Sequence, residues 1–258
     1  QGGRLTHGIR DRMPRVVASI EARMGSSRLP GKSLMDICGE PAMTRLLRRL
    51  RLCATLDDIV LATTIAVADD ELEKWADFHG VPCYRGSEED VLGRVVGAQR
   101  KLSSDVIVEI NGDTILLDPD IIDLGVMTYL YNDCDVVSNT WKSSFPDGID
   151  VQVFGLPQLE AVERTVSDPA IREHVSLYFY EHPEDYRIIH LPAPARWHAP
   201  DYRFVLDYPE DHRFMTEVYG RLQPIFGDAF GIEQIMALLI REPELLEINR
   251  HCVEKPVR

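Results

Sequence analysis

The sequence predicts an α/β fold in which a mostly parallel central sheet is flanked by helices. Two observations support this prediction. Short runs of β-branched and other apolar residues, typical of strands buried on both faces, alternate along the first half of the chain with longer segments of helical periodicity. Polar segments rich in glycine follow two of the strand-like runs, as expected for loops at the carboxyl ends of parallel strands.

The elements before residue 113 are four strands and three helices in alternation. The strand-like runs cover residues 15–20, 58–63, 81–84 and 105–110. The helical segments between them cover residues 42–53, 69–79 and 88–102. In the first helix, Met43, Leu46 and Leu50 share one face, and arginines occupy the other. Because such strands are joined by right-handed crossovers, this order predicts one continuous parallel sheet.

The pattern becomes less regular in the second half of the chain. The remaining expected elements are a helix at 121–131, a strand at 135–138 and helices near 211–222 and 231–240. Residues 141–200 mix short strand-like runs with turn residues and clustered prolines, and we interpret them as an inserted lid or dimerisation element. The prediction is therefore one domain over residues 14–258 that carries this insert. Residues 1–13 are polar and are expected to be a flexible or vector-derived extension.

The composition excludes several classes of protein. Hydrophobic residues make up 45% of the 258 residues and charged residues 27%, which is ordinary for a globular protein. The net charge of −14 argues against a nucleic-acid-binding surface, and no apolar run approaches the roughly 20 residues of a membrane span. The five cysteines are far apart and form neither a disulfide framework nor a zinc motif, so a reducing compartment, the cytoplasm, is expected.

The segment from Arg23 to Lys32 is the first candidate for chemistry. It follows the first strand, and its glycines and serines leave the backbone open to close approach, while Arg23, Arg28 and Lys32 supply three cations. Successive backbone N–H groups in such a loop bind anions, so the segment predicts a polyphosphate site. The backbone contacts to a nucleotide are expected from Ala22, Met24, Gly25 and Ser26. The alternative is a solvated basic turn.

Two aspartates are candidate metal ligands. Asp113 ends an apolar strand after a glycine, and Asp207 closes the run Phe204-Val-Leu. Mg²⁺ in proteins takes one or two carboxylates together with phosphate oxygens, so a pair of strand-end aspartates beside a phosphate loop predicts a magnesium site. Each aspartate alone reads equally well as a helix N-cap.

Other acidic and basic motifs are less specific. Asp133-Cys-Asp135 has the form of a glycosyltransferase metal motif, but it precedes a strand and so is expected at the wrong edge of the sheet. A small acidic ligand is expected to contact Asp147 and Asp150, which lie in a turn, together with Arg172 and His174. For the last two, the alternative is a surface ion pair worth less than about 1 kcal/mol.

These motifs together resemble the cytidylyltransferases that make CMP-activated acidic sugars, in particular the branch of spore-coat polysaccharide synthesis. The resemblance rests on several ordered stretches between residues 15 and 219. They are Ala22-Arg-Met-Gly-Ser-Ser-Arg-Leu-Pro-Gly-Lys32, Leu61-Ala-Thr-Thr64, Tyr84-Arg-Gly-Ser-Glu-Glu-Asp-Val-Leu92, Asn111-Gly-Asp113, Ser138-Asn139, Phe145-Pro-Asp-Gly-Ile-Asp-Val151, Arg172-Glu-His174 and Leu206-Asp-Tyr-Pro-Glu-Asp211. One departure bears on the acceptor pocket: Asn111 and Thr114-Ile115 stand where that branch reads Thr-Gly-Asp-Cys-Pro.

The resemblance implies a Rossmann-like nucleotidyltransferase core that uses CTP and Mg²⁺ and forms a homodimer through the insert. It implies that Arg23, Arg28 and Lys32 hold the triphosphate and that Asp113 and Asp207 hold the metal. The residues that it places around the cytidine are Thr63, Arg85 and Asp90.

The predicted reaction is an in-line attack by an acceptor oxygen on the α-phosphorus of CTP, with loss of pyrophosphate. The expected acceptor is a small acidic molecule: an acidic sugar, a phosphonate or a phosphorylated metabolite. The first alternative is a glycosyltransferase that uses a nucleotide-sugar donor and the pair Asp133 and Asp135. The second is a module that binds CTP without turning it over.

Overall fold

The computed structural model describes residues 13–253, and the fold within that range is built around one large sheet. The strands are β1 (Val16–Glu21), β2 (Asp36–Ile37), β3 (Glu40–Pro41), β4 (Asp58–Thr64), β5 (Cys83–Gly86), β6 (Val106–Asn111), β7 (Val136–Ser138), β8 (Gln152–Gly155) and β9 (Ile188–His190). Strands β2 and β3 form a separate antiparallel hairpin. The others form a sheet in the order β5-β4-β1-β6-β8-β7-β9, in which only β8 runs antiparallel to its neighbours.

Helices cover both faces of this sheet, as the α/β alternation predicts. They are α1 (Ala42–Leu50), α2 (Asp70–His79), α3 (Val91–Lys101), α4 (Pro119–Tyr131), α5 (Leu156–Thr165), α6 (Pro169–Glu173), α7 (Leu177–Glu181), α8 (Pro209–Phe226) and α9 (Ile232–Arg241). Short 3₁₀ turns lie at Lys32–Leu34, Val67–Asp69, Ala195–Trp197, Gly227–Ala229 and Pro243–Glu247. Among the described residues, none of the helices combines the length and the apolar character that a membrane span requires.

The side chains of the central strands β1 and β6 alternate between the two faces of the sheet. Val16, Ala18 and Ile20 of β1 belong to the large core beneath α1, α4, α8 and α9. The alternate residues of β1 and β6 point to the opposite face, where Ile107 packs in a second core with residues of α3, α5 and α7. Glu21 therefore lies on the α3 side of the sheet.

The carboxyl ends of β1, β4 and β6 lie at one edge of the sheet, because these three strands are parallel. Ligands of open α/β sheets bind outside this edge. The loops that leave it are residues 22–31, 65–66 and 112–118. A ligand site at this edge of the sheet is therefore formed by these loops.

Several predicted boundaries need correction. The helix expected from residue 88 begins at Val91, because the side chain of Asp90 accepts a hydrogen bond from the Gly93 N–H and caps it. The run Phe204-Val-Leu-Asp207 is not a strand. Instead, the Leu206 N–H donates to the Asp113 carbonyl at 3.0 Å, which holds this extended segment against the loop after β6.

The segment 141–200 is joined to the central sheet. Its strand β8 inserts between β6 and β7, and β9 extends the sheet beyond β7. The segment therefore supplies sheet strands as well as the helices α5 to α7. Its role as a lid or dimerisation element stays a prediction, and the predicted extension lies, except for Met13, outside the described residues.

Candidate active site

Lys32 lies between the two predicted metal ligands. Its Nζ is 2.6 Å from Oδ2 of Asp113 and 3.0 Å from Oδ1 of Asp207. Burial opposes the charged form of the lysine, but the two carboxylates outweigh it and raise the pKa of the ammonium group. The three side chains therefore form one charged cluster at the carboxyl edge of the sheet.

Asp207 is the more enclosed of the two aspartates, with a side chain that is 8% exposed. The Arg28 guanidinium forms an ion pair with Oδ2 of Asp207 and also lies 5.3 Å from the centre of the Tyr208 ring. Burial raises the pKa of Asp207, but Lys32 and Arg28 more than reverse this, so its pKa lies below the ordinary value. Asp207 is ionised at neutral pH, as a metal ligand has to be.

The loop that carries these cations is held by its own backbone. Gly31 adopts a left-handed conformation (φ 73°), and its N–H donates to the Met24 carbonyl at 3.0 Å. The Met24 N–H in turn donates to Oδ1 of the buried Asp69 at 2.7 Å. The N–H and hydroxyl of Thr64 donate to the other oxygen of Asp69. One carboxylate thus ties the loop after β1 to the end of β4.

Asp113 is brought to the site because two segments of the chain, around Gly112 and Glu21, approach each other closely. The Gly112 N–H donates to the Glu21 carbonyl at 2.9 Å. A Cβ atom at position 112 would lie 2.8 Å from that oxygen and 2.8 Å from the Cβ of Ala22. Position 112 therefore requires glycine because a larger side chain would not fit. Its φ lies outside the left-handed region, so backbone conformation is not the reason.

The charged cluster borders a cavity of about 1110 Å³ that opens at the carboxyl edge of the sheet. Of the residues predicted to act, those that line it are Ala22, Arg23, Ser26, Arg28, Lys32, Asp113, His174 and Asp207. The structure thus brings together the phosphate loop and both aspartates, although Lys32 and Asp207 lie 175 positions apart in sequence. Met24 and Gly25 belong to the loop but do not line the cavity.

The three residues expected around a nucleoside do not line the cavity, and their role stays a prediction. Thr63 is fully buried within β4. The Arg85 guanidinium forms ion pairs with Asp70 and Glu73 at 2.6 and 2.7 Å, so it points toward α2. The side chain of Asp90 is occupied in capping α3.

Arg172 is likewise held away from the cavities. Its Nη2 lies 2.9 Å from Oδ2 of Asp90, and its Nη1 donates to the Glu163 carbonyl. It therefore connects α6 to the start of α3, and its predicted contact with an acceptor is not supported by this geometry. His174, two residues later, does reach the cavities.

A second cavity of about 550 Å³ adjoins the first on the α6–α7 side. Asp147, Asp150 and His174, all predicted to contact an acceptor, line it. Glu21, Asn111, Glu173 and His174 border both cavities. The two spaces therefore meet beside the ends of β1 and β6, and a molecule in one can reach a molecule in the other.

Asp133 and Asp135, the ligands of the glycosyltransferase alternative, lie elsewhere. They precede β7, which runs in the same direction as β6, so they lie at the amino edge of the sheet, opposite the site. Both carboxylates form ion pairs with Arg187, which directly precedes β9. The motif thus lies at the edge of the sheet where the sequence predicted it, away from the site.

Two glutamates beside the junction of the cavities were not predicted from the sequence, and of these Glu109 is buried and Glu21 is half-buried. Glu109 is 6% exposed, and Glu21 is its neighbour on the same face of the sheet. Burial raises the pKa of Glu109 to about 7. Burial, followed by the charge of Glu109, raises the pKa of Glu21 well above its ordinary value. An acidic residue within an otherwise apolar strand was the signal that could have identified both.

The residues at the first cavity fit a magnesium ion. Asp113 and Asp207 offer two carboxylates, and Mg²⁺ commonly completes such a set with substrate phosphates and water. The position of the Lys32 ammonium between them shows that this point of the cavity favours positive charge. Loop cations for a polyphosphate lie beside it.

Comparison with known proteins agrees with this arrangement. Residues 17–249 match the model of a family described as cytidylyltransferase. The chain is 34% identical over 232 residues to the spore coat polysaccharide biosynthesis protein SpsF of Bacillus subtilis, covering 87% of this chain and 94% of SpsF. It is 30% identical over 235 residues to the 3-deoxy-manno-octulosonate cytidylyltransferase of Anaeromyxobacter sp., covering 88% and 85%.

A solved structure extends the likeness to three dimensions. A cytidylyltransferase from Leptospira borgpetersenii superposes with a TM-score of 0.86 at 27% identity, covering 95% of this chain and all of that one. The predicted α/β fold with a mostly parallel sheet is thus confirmed. The chain belongs to the cytidylyltransferase family and is a CTP-dependent nucleotidyltransferase.

Proposed function

We propose that this enzyme transfers CMP from CTP to an oxygen of a small acidic acceptor and releases pyrophosphate. The observation that carries the proposal is the cluster in which Lys32 joins Asp113 and Asp207 at the wall of the larger cavity. Cationic side chains and carboxylates at one point are what a magnesium–triphosphate complex requires, since it presents both negative oxygens and a divalent cation.

The triphosphate is bound by the loop after β1. Arg23, Arg28 and Lys32 approach it with three positive charges, and backbone N–H groups of the loop add hydrogen bonds. Because these groups are held in place before the substrate arrives, they stabilise the charge that accumulates on the leaving pyrophosphate without reorganising. Arg28 and Lys32 then exchange part of their contact with Asp207 for contact with phosphate.

Asp113 and Asp207 hold Mg²⁺ in this proposal. When bound, the ion neutralises phosphate charge and draws the phosphate oxygens into a fixed position. Asp207 is kept ionised by the neighbouring cations, and Asp113 is fixed in direction by the close approach at Gly112. Asp207 therefore offers its carboxylate oxygens without a prior loss of a proton, and Asp113 adds a second carboxylate from the loop after β6.

The acceptor occupies the second cavity and reaches the α-phosphate through the junction between the two spaces. His174 and Asn111 lie at that junction and contact both substrates in this proposal. Asp147 and Asp150 line the far wall. Arg172 acts as a positioning residue through Asp90 and α3, rather than by touching the acceptor.

A cytoplasmic homodimer completes the proposal. The five cysteines of the described chain are all free thiols, which suits a reducing compartment. The homodimer is inferred from the family resemblance and uses the segment 141–200.

The proposal is tested by measuring pyrophosphate release with each of the four nucleoside triphosphates and a panel of acceptors. The panel contains acidic sugars, phosphonates and phosphorylated small molecules. We expect release only when CTP, Mg²⁺ and an accepted member of the panel are all present. Transfer from a CMP-sugar or UDP-sugar without pyrophosphate release would instead identify a glycosyltransferase.

A further inference from the structure

Resting on the proposed function, we infer that the acidic acceptor also carries a protonated amino group, which is bound by the carboxylates of Glu21 and Glu109 at the inner wall of the second cavity. The acceptor class is therefore zwitterionic: an amino sugar acid, an aminophosphonate or the phosphate ester of an amine.

The two carboxylates are brought together by the strand register. In the pairing of β1 with β6, Ser19 is opposite Glu109 and Glu21 is opposite Asn111, so both glutamates emerge from the same face one step apart. Both line the second cavity, and Glu21 borders the first as well. A group bound between them lies close to the junction through which the acceptor meets the nucleotide.

Each glutamate has a buried oxygen without a partner among the described residues. Oε2 of Glu109 and Oε1 of Glu21 receive no hydrogen bond. Glu109 is 94% buried, so solvent does not replace the missing donor. Leaving a buried acceptor unpaired costs about 1–3 kcal/mol, and more when it is charged. An ammonium group supplies three donors and a positive charge, so it satisfies both oxygens at once.

The cations near the second cavity are already engaged with other carboxylates. Arg203 lies at its wall, but its guanidinium forms ion pairs with Asp147 and Asp211, each at 3.2 Å. Arg172 is paired with Asp90 outside the cavity. The side chains that would bind an additional anion at this depth are thus committed elsewhere.

Arg94 is the cation whose charge acts on Glu21, and it does not neutralise this carboxyl group. Its Nη1 donates to the carbonyls of Ser87 and Glu88 at 2.5 and 3.0 Å, and burial lowers the pKa of the guanidinium. Despite this charge, the pKa of Glu21 stays raised. A positive ligand group at this wall shifts both glutamates toward the ionised form, which the charge of Arg94 does not achieve for Glu21.

The experiment compares acceptors that differ only at the nitrogen. Binding of 2-aminoethylphosphonate and of 2-hydroxyethylphosphonate is measured by calorimetry with the full chain, Mg²⁺ and a CTP analogue that cannot be cleaved. A second pair, phosphoethanolamine and ethylene glycol monophosphate, repeats the comparison on a phosphate ester. The amine of each pair is expected to bind at least about tenfold more tightly, as one charge-assisted contact provides.

Variants assign the preference to the glutamates. Glu109→Gln and Glu21→Gln keep the side-chain volume and remove the charge, and each is expected to reduce the preference to less than about threefold. Asp133→Asn removes the same charge at the opposite edge of the sheet and is the matched control, with the preference unchanged. Thermal unfolding of each variant verifies that it is folded.

Equal affinity for the two members of each pair overturns the inference, as does a preference that survives both glutamate substitutions or a lack of binding by either amine. Titration with CTP alone separates this result from the proposed function. If CTP binds and acceptors without an amine are converted, the proposed function stands and the zwitterionic acceptor is wrong. If CTP does not bind, both are wrong.

Discussion

The ammonium nitrogen of Lys32 lies 2.6 Å from a carboxylate oxygen of Asp113, although 81 residues separate the two in sequence. The contact joins the loop after β1 to the loop after β6, and Asp207 adds a third segment at 3.0 Å from the same nitrogen. Three distant parts of the chain therefore meet at one charged point, and the first predictions concern that point.

Lys32→Ala is expected to lower kcat/KM for CTP by about two to three orders of magnitude, because a fixed positive charge at the leaving pyrophosphate is lost. Pyrophosphate release under saturating Mg²⁺ measures this effect. Lys74→Ala is the control, since Lys74 is exposed and pairs only with Glu71 among the described residues. Wild-type turnover by the Lys32 variant would contradict the assignment of the loop.

Asp207→Asn is expected to raise the Mg²⁺ concentration needed for half-maximal activity by at least about tenfold, since a neutral amide is a weaker ligand for a hard cation. Activity is followed as Mg²⁺ is titrated at constant free CTP. Asp120→Asn, in the first turn of α4, is the control for the change in charge. An unchanged magnesium requirement would remove Asp207 from the metal site.

Asp69→Ala is expected to weaken CTP binding although Asp69 does not line the cavity. The substitution leaves the Met24 N–H without its acceptor and frees the loop from β4, with a loss of about 1–3 kcal/mol in the free energy of unfolding. Calorimetric CTP titration and denaturant unfolding measure the two effects. Asp69→Asn keeps one acceptor oxygen and should recover part of both; no recovery would argue against a positioning role.

Glu109 should make the protein less stable as the pH rises. Its pKa is about 7 in the folded state and 4.5 in an ordinary environment, so the folded state holds the proton more tightly. Below pH 4.5 Glu109 is protonated in both the folded and the unfolded state, so it does not lower the free energy of unfolding. Between these values the free energy of unfolding falls, and above pH 7 the penalty is constant at about 3 kcal/mol.

The comparison of wild type with Glu109→Gln isolates this effect, because glutamine stays neutral at every pH. The variant is expected to gain stability relative to wild type between pH 5 and pH 8, measured by urea unfolding at each pH. A difference that is the same at pH 5 and pH 8 would show that Glu109 is ionised throughout that interval.

Gly112→Ala should destabilise the fold and misplace Asp113. The added Cβ would lie 2.8 Å from the Glu21 carbonyl oxygen, a contact that requires the backbone to move. We expect a loss of about 1–3 kcal/mol together with reduced activity. Gly220→Ala is the matched control: it lies inside α8, where the nearest atom is 3.9 Å from the new Cβ, and it should be neutral or stabilising.

The sequence by itself determined the parallel half of the sheet and one side of the site. Strands such as Val106–Asn111 are recognisable because burial on both faces demands a continuous apolar run. The loop from Arg23 to Lys32 and Asp113 follow directly from the ends of such strands. Local composition was enough there, since the carboxyl ends of parallel strands must share one edge.

Only the tertiary structure decided which charged side chains face that edge. Arg85 and Arg172 lie in motifs that resemble binding residues, yet nearby carboxylates hold them outside the cavities. The segment with Asp207 has no periodic signal, because it is placed by backbone hydrogen bonds to two distant residues, from Leu206 to Asp113 and from Phe204 to Asp147. Glu21 and Glu109 become a pair through the register of two strands. Ion pairs and register join residues that are distant in sequence, so no local pattern specifies them.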